Sequence, residues 1–266
     1  MAESKFKDRD ELYYVSELER LFKKQLETEW DGYLDAHGGN KGIVTGHVRS
    51  VMRYLPYVKG PKILDWGCYH AIDSCVLRAA LGESLNLHGC DVLEKRGAEF
   101  HKYASLRFKH LDDPYDLPYE SQSFDTVVAS GVIEHVTNPS ESLKELYRVL
   151  KDDGRLIVTY APNEYSFTEL VQAALMTAPH PRRYTRKSLK RLLIDHGFMV
   201  DKCGFHESTP TFTSPFFLKY QKTRFGSFLV RTMSRLSPLI DRLWPVNLIG
   251  QNIYAWGRRV HYIAGA

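Results

Sequence analysis

Long apolar runs are absent from this 266-residue chain: no stretch of about 18 apolar residues occurs, and the opening MAESKFKDRDELYY is charged where a secretory leader would need an apolar centre. Neither secretion nor a membrane span is expected, and a cytoplasmic location follows. Cysteine is scarce. The four present, Cys68, Cys75, Cys90 and Cys203, show no CxxC spacing, which suits free thiols in a reducing compartment and leaves no expectation of a structural zinc or any other metal site. Acid is scarce in the last third: residues 182–266 carry 15 Lys and Arg against 4 Asp and Glu, whereas residues 1–181 carry 21 against 28. The formal net charge of +4 therefore hides a strong asymmetry, which directs the C-terminal third toward something anionic: a phosphorylated small molecule, a membrane surface or a nucleic acid. A solvated basic face is the plainer reading. No recognisable RNA-binding module accompanies the charge, so nucleic acid is not the expected partner, and nothing in the pattern fixes an oligomeric state.

Glycine is missing from one telling place. In KILDWGCYHAIDS, Lys62 to Ser74, a short apolar run ends in Asp65 and turns at Gly67, the approach of a nucleotide-type pocket. The later positions of a glycine-rich loop are held by Tyr69 and Ala71, so close backbone approach to a ligand cannot be read from glycine alone.

What is present is an alternation of periods. Leu12, Val15, Leu18, Leu21, Phe22 and Leu26 recur at helical spacing between Asp8 and Trp30, HGGNKG breaks the stripe, and VTGHVRSVMRYLPYV resumes it before Gly60-Pro61. From Lys62 onward strand-like and helix-like segments alternate: KILDW, a helix over 72–81, LNLHGCD, a helix around 94–103, LRFKHLD, FDTVVAS, a helix over 140–150 and GRLIVTY. Such βαβ units predict a parallel sheet with helices on both faces, and a ligand crevice at the C-terminal strand ends. The loops after Trp66, Cys90, Leu111 and Ser130 should line it. Asp65 and bare backbone amides from Gly67 then face one crevice, with Asp91 closing the second strand where it could accept both hydrogen bonds of a ribose diol.

The stretch from Asp112 to Asn163 carries a series of motifs: Asp113, Leu117-Pro118, Phe124-Asp125, Glu134-His135-Val136, Arg148 to Lys151 and Asp153-Gly154-Arg155-Leu156. In order and spacing it resembles the class I S-adenosylmethionine-dependent methyltransferases, above all the small-molecule group of the ubiquinone-type O-methyltransferases. The resemblance runs from about Pro61 to Gly204 and includes the last strand, QNIYAWGRR. It implies a Rossmann-like, doubly wound, seven-stranded and mostly parallel sheet with an antiparallel last strand. It also implies S-adenosylmethionine as cofactor, with Asp65 and Gly67 at its methionine end, Asp91 on the ribose and Asp112 or Asp113 at the adenine amino group. Cys68 and Tyr69 in the loop, Val92 after Asp91, and Ser130 with Gly131 after the fourth strand complete the implied cofactor contacts. Tyr69 is the main departure from the family's loop, and is expected to cover the pocket rather than block it.

Methyl transfer needs an aligned nucleophile and a group to take its proton. His135, at the crevice with a near-neutral imidazole, is the candidate catalytic base; a histidine capping the next helix is the alternative. Glu134 reads as a positioning residue and Asp125 as structural. The basic run HPRRYTRKSLKR, 180–191, reads either as a solvated helix start or as an anion-binding lip. Residues 1–60 read as an N-terminal helical cap, 61–208 with 250–260 as the methyltransferase domain, and 209–249 as a helical insertion. In that insertion Arg224, Arg231 and Arg235 share one helical face and Phe225, Phe228, Leu229 and Leu236 another, with Ser237-Pro238 starting a second short helix. A lid, a dimer contact and peripheral membrane contact through 215–245 all stay open. The expected reaction is O-methylation of a small-molecule, glycan or lipid-linked acceptor, with N-methylation or a non-catalytic cofactor-binding relative as alternatives.

Overall fold

The computed structural model describes residues 10–38, 41–166, 169–170, 174, 180–206, 223, 225, 226, 228, 232, 236, 239, 248 and 250–260. Seven strands form one sheet: β1 (Lys62–Trp66), β2 (Asn86–Asp91), β3 (Arg107–His110), β4 (Phe124–Ser130), β5 (Leu150–Pro162), β6 (Phe198–His206) and β7 (Asn252–Arg259). Their order is β3-β2-β1-β4-β5-β7-β6. β1 pairs in parallel with both β2 and β4, and β4 with β5. Only β7 runs against its neighbours, wedged between β5 and β6.

The helices are α1 (Glu11–Thr28), α2 (Gly32–Gly38), α3 (Lys41–Tyr54), α4 (Ile72–Leu81), α5 (Ala98–Ala104), α6 (Pro139–Val149) and α7 (Arg186–Asp195). Their ends follow local chemistry. The Asp10 carboxylate accepts from the Tyr13 amide at the start of α1, and Asn138 accepts from the Ser140 and Glu141 amides ahead of Pro139 in α6. Thr185 and Ser188 form a reciprocal capping box on α7. The His135 alternative as helix cap is thereby set aside, since Asn138 does that work. α2 was not expected from the sequence. It follows Asp31, whose carboxylate accepts from the Tyr33 and Leu34 amides.

The N-terminal helices are not an appendage. Tyr14, Val15, Leu18 and Phe22 of α1 share one apolar cluster with Ile63 of β1, Cys75 and Leu77 of α4 and Phe100 of α5, and the Phe22 and Phe100 rings meet edge to face at 5.1 Å. Fully buried Gln25 accepts from the Glu99 amide through its side-chain oxygen, tying α1 to the start of α5. A second cluster on the opposite face joins Leu64 and Trp66 to α6 and α7 through Leu143, Leu146, Leu189 and Leu193. Several motif residues turn out to build this scaffold. Arg148 donates to the carbonyls of Leu117 and Tyr119 while Glu145 accepts from the Leu117 amide, which fixes the 112–120 loop. Asp125 accepts from the Lys62 amide and pairs with Lys151.

The insertion bears on the sequence reading only in part. Arg224, Leu229, Arg231, Arg235, Ser237 and Pro238 lie outside the described residues. Phe225, Phe228, Thr232, Leu236 and Leu239 are helical, and the four apolar ones are exposed. Among the described residues no helix is long and apolar enough to cross a membrane.

Candidate active site

A cleft of about 990 Å³ opens at the C-terminal ends of β1, β2 and β4, where the strand order reverses between β1 and β4 and the flanking loops must diverge. Asp65, Gly67, Cys68, Tyr69, Asp91 and Val92 line it, as do Ser130 and Gly131 from the end of β4. Tyr33, Ile43 and His47 of the N-terminal helices line it as well, so the cap contributes directly to the site.

The first loop keeps the glycine-type backbone without the glycines. Gly67 has φ +70°, and a Cβ there would lie 2.4 Å from a Val132 methyl carbon. Tyr69 and Ala71 also take positive φ, 40° and 60°, a conformation that costs a non-glycine residue about 1–2 kcal/mol. The loop amides are not bare, contrary to the sequence expectation. Those of Gly67 and Cys68 donate to the Cys90 carbonyl and that of Ala71 to the Cys68 carbonyl, because the turn is too tight to leave them pointing outward. The Tyr69 amide donates to one Asp91 oxygen at 2.9 Å, and the Leu93 amide to the other at 2.9 Å. Asp91 is thereby held rigidly at the cleft with lone pairs to spare on both oxygens. The Tyr69 ring packs against Tyr33 and His70, with centroids 5.6 and 3.8 Å away, and the cleft stays open beside it.

Two buried carboxylates, Asp65 and Asp73, line the cleft. Asp65 accepts from the Ser74 hydroxyl at 2.6 Å; burial and then the neighbouring Asp73 push it up to about 7. Asp73 accepts from the Tyr54 hydroxyl at 3.1 Å, and burial raises it to about 6 against the hydrogen bonds of Ser130 and Tyr54. Two desolvated like charges of this kind call for a cation between them. Asp73 was not singled out from the sequence, since an acid in the first turn of α4 reads as a helix-dipole partner.

Asp112 and Asp113 are not brought to the cleft: both are exposed, and Leu111, Pro114 and Tyr115 line that side instead. The Asp113 carboxylate is spent on the Tyr115 and Asp116 amides, closing a turn.

Beyond β4 the chain makes a tight turn that carries Glu134 and His135 into the cleft. Glu134 is buried, which raises it to about 7, and its Oε1 lies 3.7 Å from His135 Nε2. His135 is half-exposed, and burial, then the neighbouring His180, lower its pKa. His180 enters from the segment before α7, its ring 5.8 Å from that of His135, and donates through Nδ1 to buried Glu169 at 2.6 Å. That hydrogen bond raises the pKa of His180. Arg182 donates to the Val136 and Thr137 carbonyls and Tyr184 to the Ile133 carbonyl, stapling the two segments together. The basic run at 180–191 therefore spends Arg182 on the scaffold rather than on an anion.

A family model described as a methyltransferase domain matches residues 12–202. The chain belongs to this methyltransferase family. The match starts inside α1, well before Pro61, in keeping with the shared core. Curated relatives include a demethylmenaquinone methyltransferase of Lactobacillus johnsonii, 31% identical over 124 residues, 43% of this chain and 50% of that protein. Another is a ubiquinone/menaquinone biosynthesis C-methyltransferase of Geotalea daltonii, 27% identical over 123 residues, 44% and 52%. The chain thus spans about half the length of these relatives. Among solved structures, an S-adenosylmethionine-dependent methyltransferase of Thermotoga maritima, described as a possible histamine N-methyltransferase, superposes with a TM-score of 0.57 at 17% identity over 92% of this chain and 96% of that one. A phosphoethanolamine N-methyltransferase of Haemonchus contortus, in complex with S-adenosylhomocysteine, gives 0.56 at 17%, covering 81% and 52%. The fold is that of the class I S-adenosylmethionine-dependent methyltransferases. The methyltransferase cleft suits this cofactor on its own evidence: S-adenosylmethionine brings a sulfonium and an ammonium, and Asp65 with Asp73 is a buried carboxylate pair that no basic side chain among the described residues pairs with. Its ribose diol matches the free lone pairs of Asp91.

Proposed function

We propose that this methyltransferase methylates an oxygen of a small-molecule, glycan or lipid-linked acceptor. Bound S-adenosylmethionine would supply an activated methyl group whose sulfur leaves without needing a proton. Asp65 and Asp73 hold its charged end, Asp91 its ribose, and the Tyr33–Tyr69 wall excludes water from one side. The observation that carries the choice of oxygen is the titratable cluster beyond β4. His135 has a lowered pKa, so it is neutral and able to accept a hydroxyl proton near pH 7. Glu134 and His180 stand beside it to orient the acceptor.

The test is methyl transfer from labelled S-adenosylmethionine to a panel of hydroxylated acceptors. His135→Ala should cut turnover by about 10²–10⁴ with affinity for S-adenosylhomocysteine kept, and a loss below tenfold would remove the base role. A carbon acceptor is the second reading, favoured by the names of the quinone-pathway relatives; the position of the label in the product separates the two.

We also propose that the insertion rests on an anionic membrane surface. Phe225, Phe228, Leu236 and Leu239 recur at helical spacing and are exposed, in a C-terminal third with 15 basic against 4 acidic residues.

A further inference from the structure

The cluster beyond β4 holds more than a base needs. Glu134, His135 and His180 each offer one ligand-type atom, and the three atoms all lie within 4.8 Å of one another. A first-row ion with bonds of about 2.0–2.2 Å holds its ligand atoms about 3–4 Å apart, and Glu134 Oε1 already lies 3.7 Å from His135 Nε2. That separation is too long for a hydrogen bond. The second Glu134 oxygen is buried and has no hydrogen-bond partner among the described residues; a carboxylate 3% exposed with an orphan oxygen is a costly feature unless something occupies the space before it.

His180 is prepared in the way metal-ligating histidines are. Its Nδ1–H is committed to Glu169 at 2.6 Å, which fixes the tautomer and leaves the Nε2 lone pair as the free donor. Glu169 is itself 2% exposed and held by the Ser166 hydroxyl through its own amide. The Arg182 and Tyr184 staples lock the His180 segment onto the Glu134–His135 turn. The two segments that carry the cluster are therefore tied together before any ligand arrives.

We propose that Glu134, His135 and His180 bind one first-row divalent cation, as a two-histidine, one-carboxylate site with Glu169 behind it. This rests on reading the cleft as the methyl-transfer site. Two imidazoles and a carboxylate favour Zn²⁺, Mn²⁺, Fe²⁺ or Co²⁺ over Mg²⁺ or Ca²⁺, which take oxygen. Three protein ligands leave positions open on the solvent side, as catalytic sites do. An acceptor hydroxyl occupying one of them would have its pKa lowered and would lose its proton to water at the cleft mouth. His135 is the base proposed above in the metal-free protein; with the ion in place it would serve as a ligand, and the bound hydroxyl would release its proton to solvent.

The experiment uses untagged, chelator-stripped protein titrated with Co²⁺ and Zn²⁺, followed by calorimetry and, for Co²⁺, visible absorption. One equivalent should bind with the d–d bands of a nitrogen-ligated ion. Glu134→Gln and His180→Ala should each weaken affinity at least tenfold, and Glu169→Gln by about 10–100-fold, while all three keep the parent's melting temperature within a few degrees or, failing that, its affinity for S-adenosylhomocysteine. No saturable binding at tens of micromolar metal, or equal binding by parent and the three variants, overturns the proposal. Either result leaves methyl transfer standing. The reverse failure, no binding of S-adenosylhomocysteine by stripped or metal-loaded protein, strikes the methyl-transfer reading whatever the metal does.

Discussion

Lowering the pH from 7.5 to 6.0 should loosen the hold on S-adenosylhomocysteine, because the pair that meets its ammonium must be ionised to do so. Asp65 sits at about 7 and Asp73 at about 6. At pH 6.0 about a tenth of the first and half of the second are charged; at pH 7.5 the fractions are about three quarters and nearly all. If only the doubly ionised pair binds, the dissociation constant should rise about fifteenfold as the pH is lowered from 7.5 to 6.0, or about 1.6 kcal/mol. The window ends at 7.5, where both carboxyls are already mostly ionised.

The sign for stability runs the other way. Both carboxyls are raised above their ordinary 3.8, so the folded protein holds these protons more tightly than the unfolded chain does. The stability they give is complete below about 3.8 and is lost as pH rises through 6 and 7. The free protein should therefore weaken across that window while the ligand's stabilising effect grows. Calorimetry at pH 6.5 in two buffers of different ionisation enthalpy should show release of about one proton, shared by the coupled pair. In Asp73→Asn the loss of the like charge should move the remaining dependence to lower pH and make it shallower. A dissociation constant flat within twofold between pH 6.0 and 7.5, or no proton release, would refute the counter-charge argument.

Three further outcomes follow from the cleft and the insertion. Asp91→Ala should weaken S-adenosylhomocysteine by about 1–3 kcal/mol, leaving ribose hydroxyls unpaired and freeing the Tyr69 and Leu93 amides; an unchanged affinity would place the ribose elsewhere. Gly67→Ala forces a Cβ against Val132 at a left-handed φ, so cofactor affinity and melting temperature should both fall, the latter corresponding to about 1–2 kcal/mol; a melting curve like the parent's would mean the loop relaxes. Phe225→Ser with Phe228→Ser should abolish partition onto vesicles of anionic lipid at low salt without changing the melting temperature, and equal partition by parent and variant would remove the membrane contact.

The sheet and its crevice were legible from Lys62 onward because period, punctuation and acid-ended strands all agree there; α4 occupies the expected 72–81. The cap was half legible: Gly38 and Gly39 read as a break, yet Asp31 provides an N-terminal cap strong enough to start α2 between them and α1. Site residues fell out according to how local their role is. Asp65 and Asp91 end strands, so their direction is set by the sheet, and the structure puts both in the cleft. Asp113 sits in a loop where an acid can equally cap a turn, and the two neighbouring amides claimed it. Asp73 gave no sign, because an acid at a helix start has an ordinary explanation, and His180 was read only as part of a basic run, because it meets Glu134 and His135 only across 45 residues of chain.

The missing glycines show where reading residue types stops short of reading conformation. Within this loop only Gly67 is sterically obligatory, since a Cβ there would meet Val132. Ala71 adopts φ +60° at a cost of about 1–2 kcal/mol, but it is fully buried. Glycine there would give up a buried methyl worth about 0.8 kcal/mol and would free the unfolded chain by a further 0.4–1 kcal/mol. The terms nearly cancel, so alanine holds the position without loss. Tyr69 is the same case with a different compensation: its backbone strain is met by the Asp91 hydrogen bond on one side and by ring contacts with Tyr33 and His70 on the other. A loop can thus keep the shape of a cofactor turn after losing the residues by which that shape is usually recognised, provided burial or a tertiary contact offsets the strain at each replacement.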